Sequence, residues 1–151
     1  MAIGSDLYTR VTDRIVEILQ GDERLSRDLP STVQVEKGPF REIPGPDALT
    51  FVYRARTGAD WWMGEQGVDV DATWHLQAVT RVLGDPETLE ERCSILAANL
   101  LAVMSDHKNE GGYFVLQAWS PSQAVSVRRK EQHVYEIELL PVGLKIFGVD
   151  L

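Results

Sequence analysis

The sequence predicts an α+β domain, a mainly antiparallel sheet with two helices packed on one face, in the order α-β-β-β-α-β-β. Three observations predict it. Apolar residues recur at helical spacing over 7–19 and again over 89–104. Between and after these stretches apolar and polar residues alternate with the period of a strand. Asp85-Pro86 supplies the entry of a second, longer helix, with an acceptor at the cap and a residue whose missing N–H costs nothing in the first turn.

The first helix starts at Ser5 or Asp6, either of which accepts a hydrogen bond from a free amide at a helix start. Leu7, Val11, Ile15, Ile18 and Leu19 form one apolar stripe, while Arg10, Asp13, Arg14 and Glu17 face elsewhere. Gly21 ends it. Residues 22–30 read as a connection with one short helical turn around Leu25. Val33 and Val35 alternate with Gln34 and Glu36 in a short strand closed by Lys37-Gly38-Pro39, and Pro44-Gly45-Pro46-Asp47 excludes regular structure.

From Leu49 a second strand sets Leu49, Phe51, Tyr53 and Ala55 against Thr50, Val52, Arg54 and Arg56. Gly58 to Gly67 reads as a long loop holding Trp61-Trp62-Met63. It leads to an antiparallel partner over 72–82, in which Trp74, Leu76, Ala78 and Val82 alternate with Thr73, His75, Gln77 and Arg81. The second helix carries Leu89, Cys93, Leu96, Ala97, Leu100, Leu101 and Met104 on its apolar face and fades near His107, before Gly111-Gly112. Glu87 complements the positive end of its dipole, and Ala97-Ala98 permits close approach to a sheet. Residues 113–119 and 133–140 are strand-like, separated by Ser120-Pro121-Ser122 and the basic run Arg128-Arg129-Lys130. With no internal repeat or low-complexity stretch, residues 1–151 read as one domain.

A chain of 151 residues is long enough to bury roughly 68–70% of its unfolded surface without disulfides. Its 44% hydrophobic and 25% charged residues are those of a globular protein, and no apolar run approaches the roughly 20 residues of a membrane helix. The first residues lack the basic start and apolar core of a signal peptide, so the chain is expected to be made and kept in the cytoplasm. Net charge is −8, with 23 acidic against 15 basic residues, which disfavours a phosphate-neutralising nucleic-acid reader. Repulsion of that sign is compatible with DNA passing through an acidic conduit without sticking.

Candidate chemistry is sparse. Cys93, the one cysteine, sits at helical spacing among Leu89, Leu96 and Leu100 and reads as a buried reduced thiol. His75, His107 and His133 are dispersed without metal-ligand spacing, and Asp69 and Asp71 lack the glycine and distal glutamate of a calcium loop, so they read as strand-edge acids. There is no G-x-S-x-G, Walker loop or G-x-G-x-x-G. No catalytic, metal or cofactor residue is assigned, and an enzyme or small-ligand domain of α+β type is the lesser alternative. Contact residues are better marked. Trp61, Trp62 and Met63 offer large areas to bury between flanking glycines, unless the rings fold back onto the sheet. Arg128, Arg129 and Lys130 stand at a turn between strands, either as a solvated hairpin tip or as a docking point for an acidic neighbour or a second copy.

The helix ending near Gly21, the strand into Val35-Glu36-Lys37-Gly38-Pro39, the paired strand-loop-strand, the Pro86-started helix and the terminal His133-Val-Tyr-Glu-Ile-Glu-Leu strand together resemble the tail terminator and tail-completion proteins of long-tailed bacteriophages. The likeness covers nearly the whole chain and is one of layout rather than of a fixed motif. It implies a homo-oligomeric ring, commonly a hexamer, that caps the finished tail tube, ends elongation and presents a surface to head-completion or neck proteins. It also implies a place in the virion tail after assembly in the host cytoplasm. DNA would be cargo in the pore, and the implied partners are copies of the chain, the tail-tube protein and a neck protein. Another neck, head-closure or tube subunit would share the ring and differ in the face it presents.

Overall fold

The computed structural model describes residues 3–43, 47–55, 60–64, 67–83, 86–119, 123–128 and 133–149, some of them for backbone alone. In chain order these form α1 (Ile3–Gln20), a 3-10 turn (Glu23–Ser26), β1 (Gln34–Lys37), β2 (Ala48–Arg54), β3 (Asp60–Gly64), β4 (Gly67–Leu83), α2 (Pro86–Ser105), β5 (Asn109–Glu110), β6 (Phe114–Trp119), β7 (Gln123–Arg128) and β8 (His133–Val149). The α+β class is as expected, with both helices on one face of the sheet. Among the described residues all strand pairs are antiparallel except β1 with β2.

Two 17-residue strands, β4 and β8, pair along almost their whole length and form the spine of the sheet. On one side of the spine β2 pairs with the second half of β4 and β3 with its first five residues, while β1 lies outside β2. On the other side β7 pairs with the start of β8 and β6 with its later part, while β5 lies outside β6. The first-half extension of β4 over 67–71 and the strands β3, β5 and β7 are all absent from the expected order. Trp61-Trp62-Met63, read as part of a loop, is strand. The glycines at 58, 64 and 67 are turn signals, but they enclose a segment of large side chains that suits a pleated surface. The helix cap expected of Asp85 falls outside the described residues; Pro86 is the first residue of α2, as expected.

The helical face of the sheet carries Val68, Val70, Ala72, Trp74, Leu76 and Ala78 of β4 with Leu140, Val142, Leu144 and Ile146 of β8, all buried. Onto them α1 sets Val11, Ile15, Ile18 and Leu19, and α2 sets Cys93, Leu96, Ala97, Leu100, Val103 and Met104. Ala97 is buried as the close-approach reading requires, but Ala98 faces solvent and Leu101 is partly exposed. Trp74 is fully buried at the centre. Its indole N–H donates to Thr12 Oγ1 at 2.9 Å and its ring meets Tyr8 edge-on, with centroids 5.8 Å apart. Asn99 Nδ2 donates to the Leu25 and Arg27 carbonyls at 3.0 and 2.9 Å, tying α2 to the 3-10 turn that sequence had placed around Leu25.

The opposite face has a second, smaller core that the sequence reading missed. Leu49, Phe51, Val79, Tyr135 and Ile137 are buried there beneath Phe40 and Ile43 of the segment after β1. Phe40 meets Phe51 and Tyr135 edge-on at 5.8 and 5.2 Å. Its backbone N–H donates to Gln77 Oε1 at 2.9 Å, and Arg81 Nη1 donates to the Ile43 carbonyl at 3.3 Å. Residues 38–43 have no regular structure, but they work as a strap. Gly38 starts the strap at φ +93°, a conformation that side chains with a Cβ rarely adopt, and its N–H donates to Val52 O at 2.8 Å.

Cys93 is buried, as expected, and its thiol donates to the Ala78 carbonyl at 3.4 Å. Burial pushes its pKa up to about 12, so almost none is thiolate near neutrality. Iodoacetamide should leave Cys93 unmodified in the native protein and alkylate it fully once guanidinium unfolds the chain, as mass spectrometry would show. Stoichiometric alkylation under native conditions would contradict this packing.

Asp22 caps the 3-10 turn by accepting from the Arg24 N–H at 2.9 Å. The Arg24 guanidinium, 2.6 Å away, holds the Asp22 carboxyl down to about 2. Because the folded pKa is depressed, this contribution is complete above the ordinary value of 3.8 and is lost as pH falls toward 2. Denaturant titrations across that window should show stability falling with acid, less steeply in Asp22→Asn. The Arg24 side chain is 34% exposed, so solvent screens the pair and the difference should be small.

Candidate assembly surface

The functional candidates from sequence lie at opposite ends of the spine. Trp62 and Met63 belong to β3, opposite Asp69 and Val68 at the start of β4, beside the end of β8. Arg128 ends β7 opposite Val134, at the start of β8. Some thirteen residues of β8 separate Val134 from Phe147, roughly 40 Å of strand. Arg129 and Lys130 lie outside the described residues, and Arg128 and Trp61 are described for backbone only.

At the β3 end, alternation along the strand sends Trp62 and Met63 to opposite faces. Met63 is 78% exposed. Trp62, 36% exposed, stands on the face away from the helices and shares it with Phe147, which is 58% exposed. Between the two rings the Lys145 ammonium lies 4.6 Å from the Trp62 centroid and 5.6 Å from that of Phe147. Cation–π attraction fixes the two aromatic rings and the lysine as one platform. Aromatic residues and methionine are enriched where proteins bind one another, which makes these side chains the candidates for a contact. Sequence reasoning found Trp62 and Met63 and missed Lys145 and Phe147. The alternation of Leu144, Lys145, Ile146 and Phe147 was the available signal, since it continues the strand past the expected end at Leu140.

Asp69 and Asp71 are strand residues, as expected, but of an interior strand rather than an edge, because β4 is flanked there by β3 and β8. Along the same face, Tyr53 and His75 form a cross-strand pair, with His75 Nδ1 3.2 Å from the Tyr53 hydroxyl and the rings edge-on at 5.1 Å. Burial lowers the His75 pKa and raises that of Tyr53, so both are held neutral near pH 7. His107 pairs with Glu110 beyond α2, and Glu110 also accepts from Arg14 Nη2 at 3.2 Å. Burial works to raise the Glu110 pKa, but the hydrogen bonds from His107 and Arg14 outweigh it and the net shift is downward. These groups brace the α1–α2 side of the molecule. A hollow of about 260 Å³ between the end of α1 and the 3-10 turn is lined by Leu19, Asp22, Ser26, Thr32 and Val33, and Asp22 is already engaged there by Arg24.

No family model matches the chain, and no curated protein matches it. Among solved structures, it is similar to a chain from the virion of a native gene transfer agent (GTA) particle. The likeness has a TM-score of 0.55 at 17% identity and covers 93% of this chain and 99% of that one. At that identity the match shows a shared fold. It runs nearly end to end in both proteins, so the likeness is one of the whole domain and not of a short common motif.

Proposed function

We propose that the chain is a structural subunit of a phage-like virion that assembles into a homo-oligomeric ring, hexameric in the leading form. The ring caps the tail tube, stops its growth and joins tail to head. The observation that carries this reading is the end-to-end fold likeness to a chain of a GTA virion. It agrees with the tail-terminator layout read from sequence. The exposed Trp62–Lys145–Phe147 platform and Met63 supply a surface for a second virion component, the tail-tube protein or a neck protein. The net charge of −8 suits a ring through which DNA passes as cargo. In this role the chain performs no catalysis and acts by occlusion. A ring seated on the last tube layer leaves no surface for another, and its outer face receives the head.

Polymerising tail-tube subunits with and without the purified protein tests the reading. Electron micrographs should show shorter tubes, each with extra density at one end, when the protein is present. Unchanged tube length with the protein unbound would refute a capping role, and long tubes formed by the protein alone would make it a tube subunit.

A further inference from the structure

The sheet has a stepped outline. One row of paired residues runs Val35, Thr50, Ala78, Glu138, Ala124 across β1-β2-β4-β8-β7. A second row, seven residues back along β4, runs Asp60, Asp71, Lys145, Val115, Asn109 across β3-β4-β8-β6-β5. Each band is five strands wide, but the first reaches one strand further on the β1 side and the second one strand further on the β5 side. Moved sideways by five strand positions, about 24 Å, a second copy fills both steps at once. Its β1 lies beside β7 of the first copy, and its β3 beside β5.

Strand directions fit this placement. β1 runs antiparallel to β4 and β7 parallel to it, so β7 and the incoming β1 are antiparallel; β5 and the incoming β3 are parallel. The edge of β7 is lightly defended. Five of its six residues, Gln-Ala-Val-Ser-Val over 123–127, carry neither charge nor proline, the usual devices against strand addition, and charge enters only at its end with Arg128.

We propose that copies of this chain join head to tail through these edges, with β7 of one copy hydrogen-bonded antiparallel to β1 of the next. This deepens the ring reading and rests on it. Rows continue at the same level from copy to copy, so the contact carries no climb along the strands, which is the condition for a closed ring rather than a helix. The register sets Gln34 opposite Val125 and Glu36 opposite Gln123 across the junction. Facing positions of an antiparallel pair bring Cβ atoms to about 4.5–5.5 Å, close to the reach of a disulfide.

The full-length double variant Gln34→Cys with Val125→Cys, mildly oxidised, should give a ladder of covalent multimers on a non-reducing denaturing gel, ending at the ring number. Each single variant should give none, and the buried Cys93 adds no background. Glu36→Cys with Gln123→Cys provides a second register pair should the first variant fail to fold. Dimers from Val125→Cys alone would mean that β7 meets β7 about a two-fold axis and would overturn the proposal. So would a ring of native mass in which neither double variant cross-links, which leaves the ring reading standing. A monomer at every concentration would overturn both.

Discussion

Trp74→Ala should lower stability by about 3–5 kcal/mol, the range for emptying a buried aromatic site. For a domain of this size that corresponds to a drop in thermal midpoint of roughly 6–20 °C. Several effects add at this residue. Trp74 is fully buried where α1 crosses the β4–β8 spine, so the cavity has no simple route to collapse. The substitution also strands the Thr12 hydroxyl and removes the edge-on contact with Tyr8. The cation–π pair of Arg54 with Tyr8, at 4.1 Å, loses part of its support. Thr12→Val separates these contributions. It keeps the packing but leaves a buried indole N–H unpaired, so its cost should be about 1–3 kcal/mol. Calorimetry on both variants checks the order. A Trp74→Ala midpoint within a degree or two of the parent would mean that the helices do not pack on this face as described.

Replacing Trp62, Met63 and Phe147 together by serine should leave the thermal midpoint nearly unchanged and abolish association with the tail tube or neck partner. Met63 and Phe147 are mostly exposed, and Trp62, 36% exposed, lies at the surface over Lys145, so their removal costs the fold far less than emptying a buried site. At a protein interface, truncating an aromatic hot-spot residue costs about 2 kcal/mol or more, about thirtyfold in affinity. The two aromatic losses alone would weaken a micromolar contact about a thousandfold. Tube-capping assays and calorimetry on the same preparation separate the outcomes. A variant that unfolds would make these residues part of the core, and one that caps tubes at parental efficiency would remove the platform from the interface.

Both predictions show which features were legible in the sequence. Trp74 was readable because the alternation of Trp74, Leu76 and Ala78 against Thr73, His75 and Gln77 has one wet side and one dry side. The helices were readable for the same reason, and Cys93 followed from its place in the α2 stripe. The second core was not. Leu49 and Phe51 face one way and Val52 the other, and all are buried, so alternation cannot say which face is covered. The covering residues, Phe40 and Ile43, sit in a proline-rich stretch without period. The strand β3 was hidden by its flanking glycines, and β7 by its shortness and its neighbouring Ser-Pro-Ser. Half of the platform was legible, because the Trp61-Trp62-Met63 cluster stands out by residue type. Lys145 and Phe147 become partners only through β4–β8 register, an interaction between residues some 80 positions apart in the chain.

The proposed role stands or falls with closure of a ring. Native mass spectrometry of the purified protein, paired with negative-stain images of the same sample, tests it most directly. The account predicts one dominant species at a fixed multiple of the 16.9 kDa chain, seen end-on as a closed ring with a central opening. A monomer that persists as concentration rises, or an open-ended series of masses without closed particles, would contradict it.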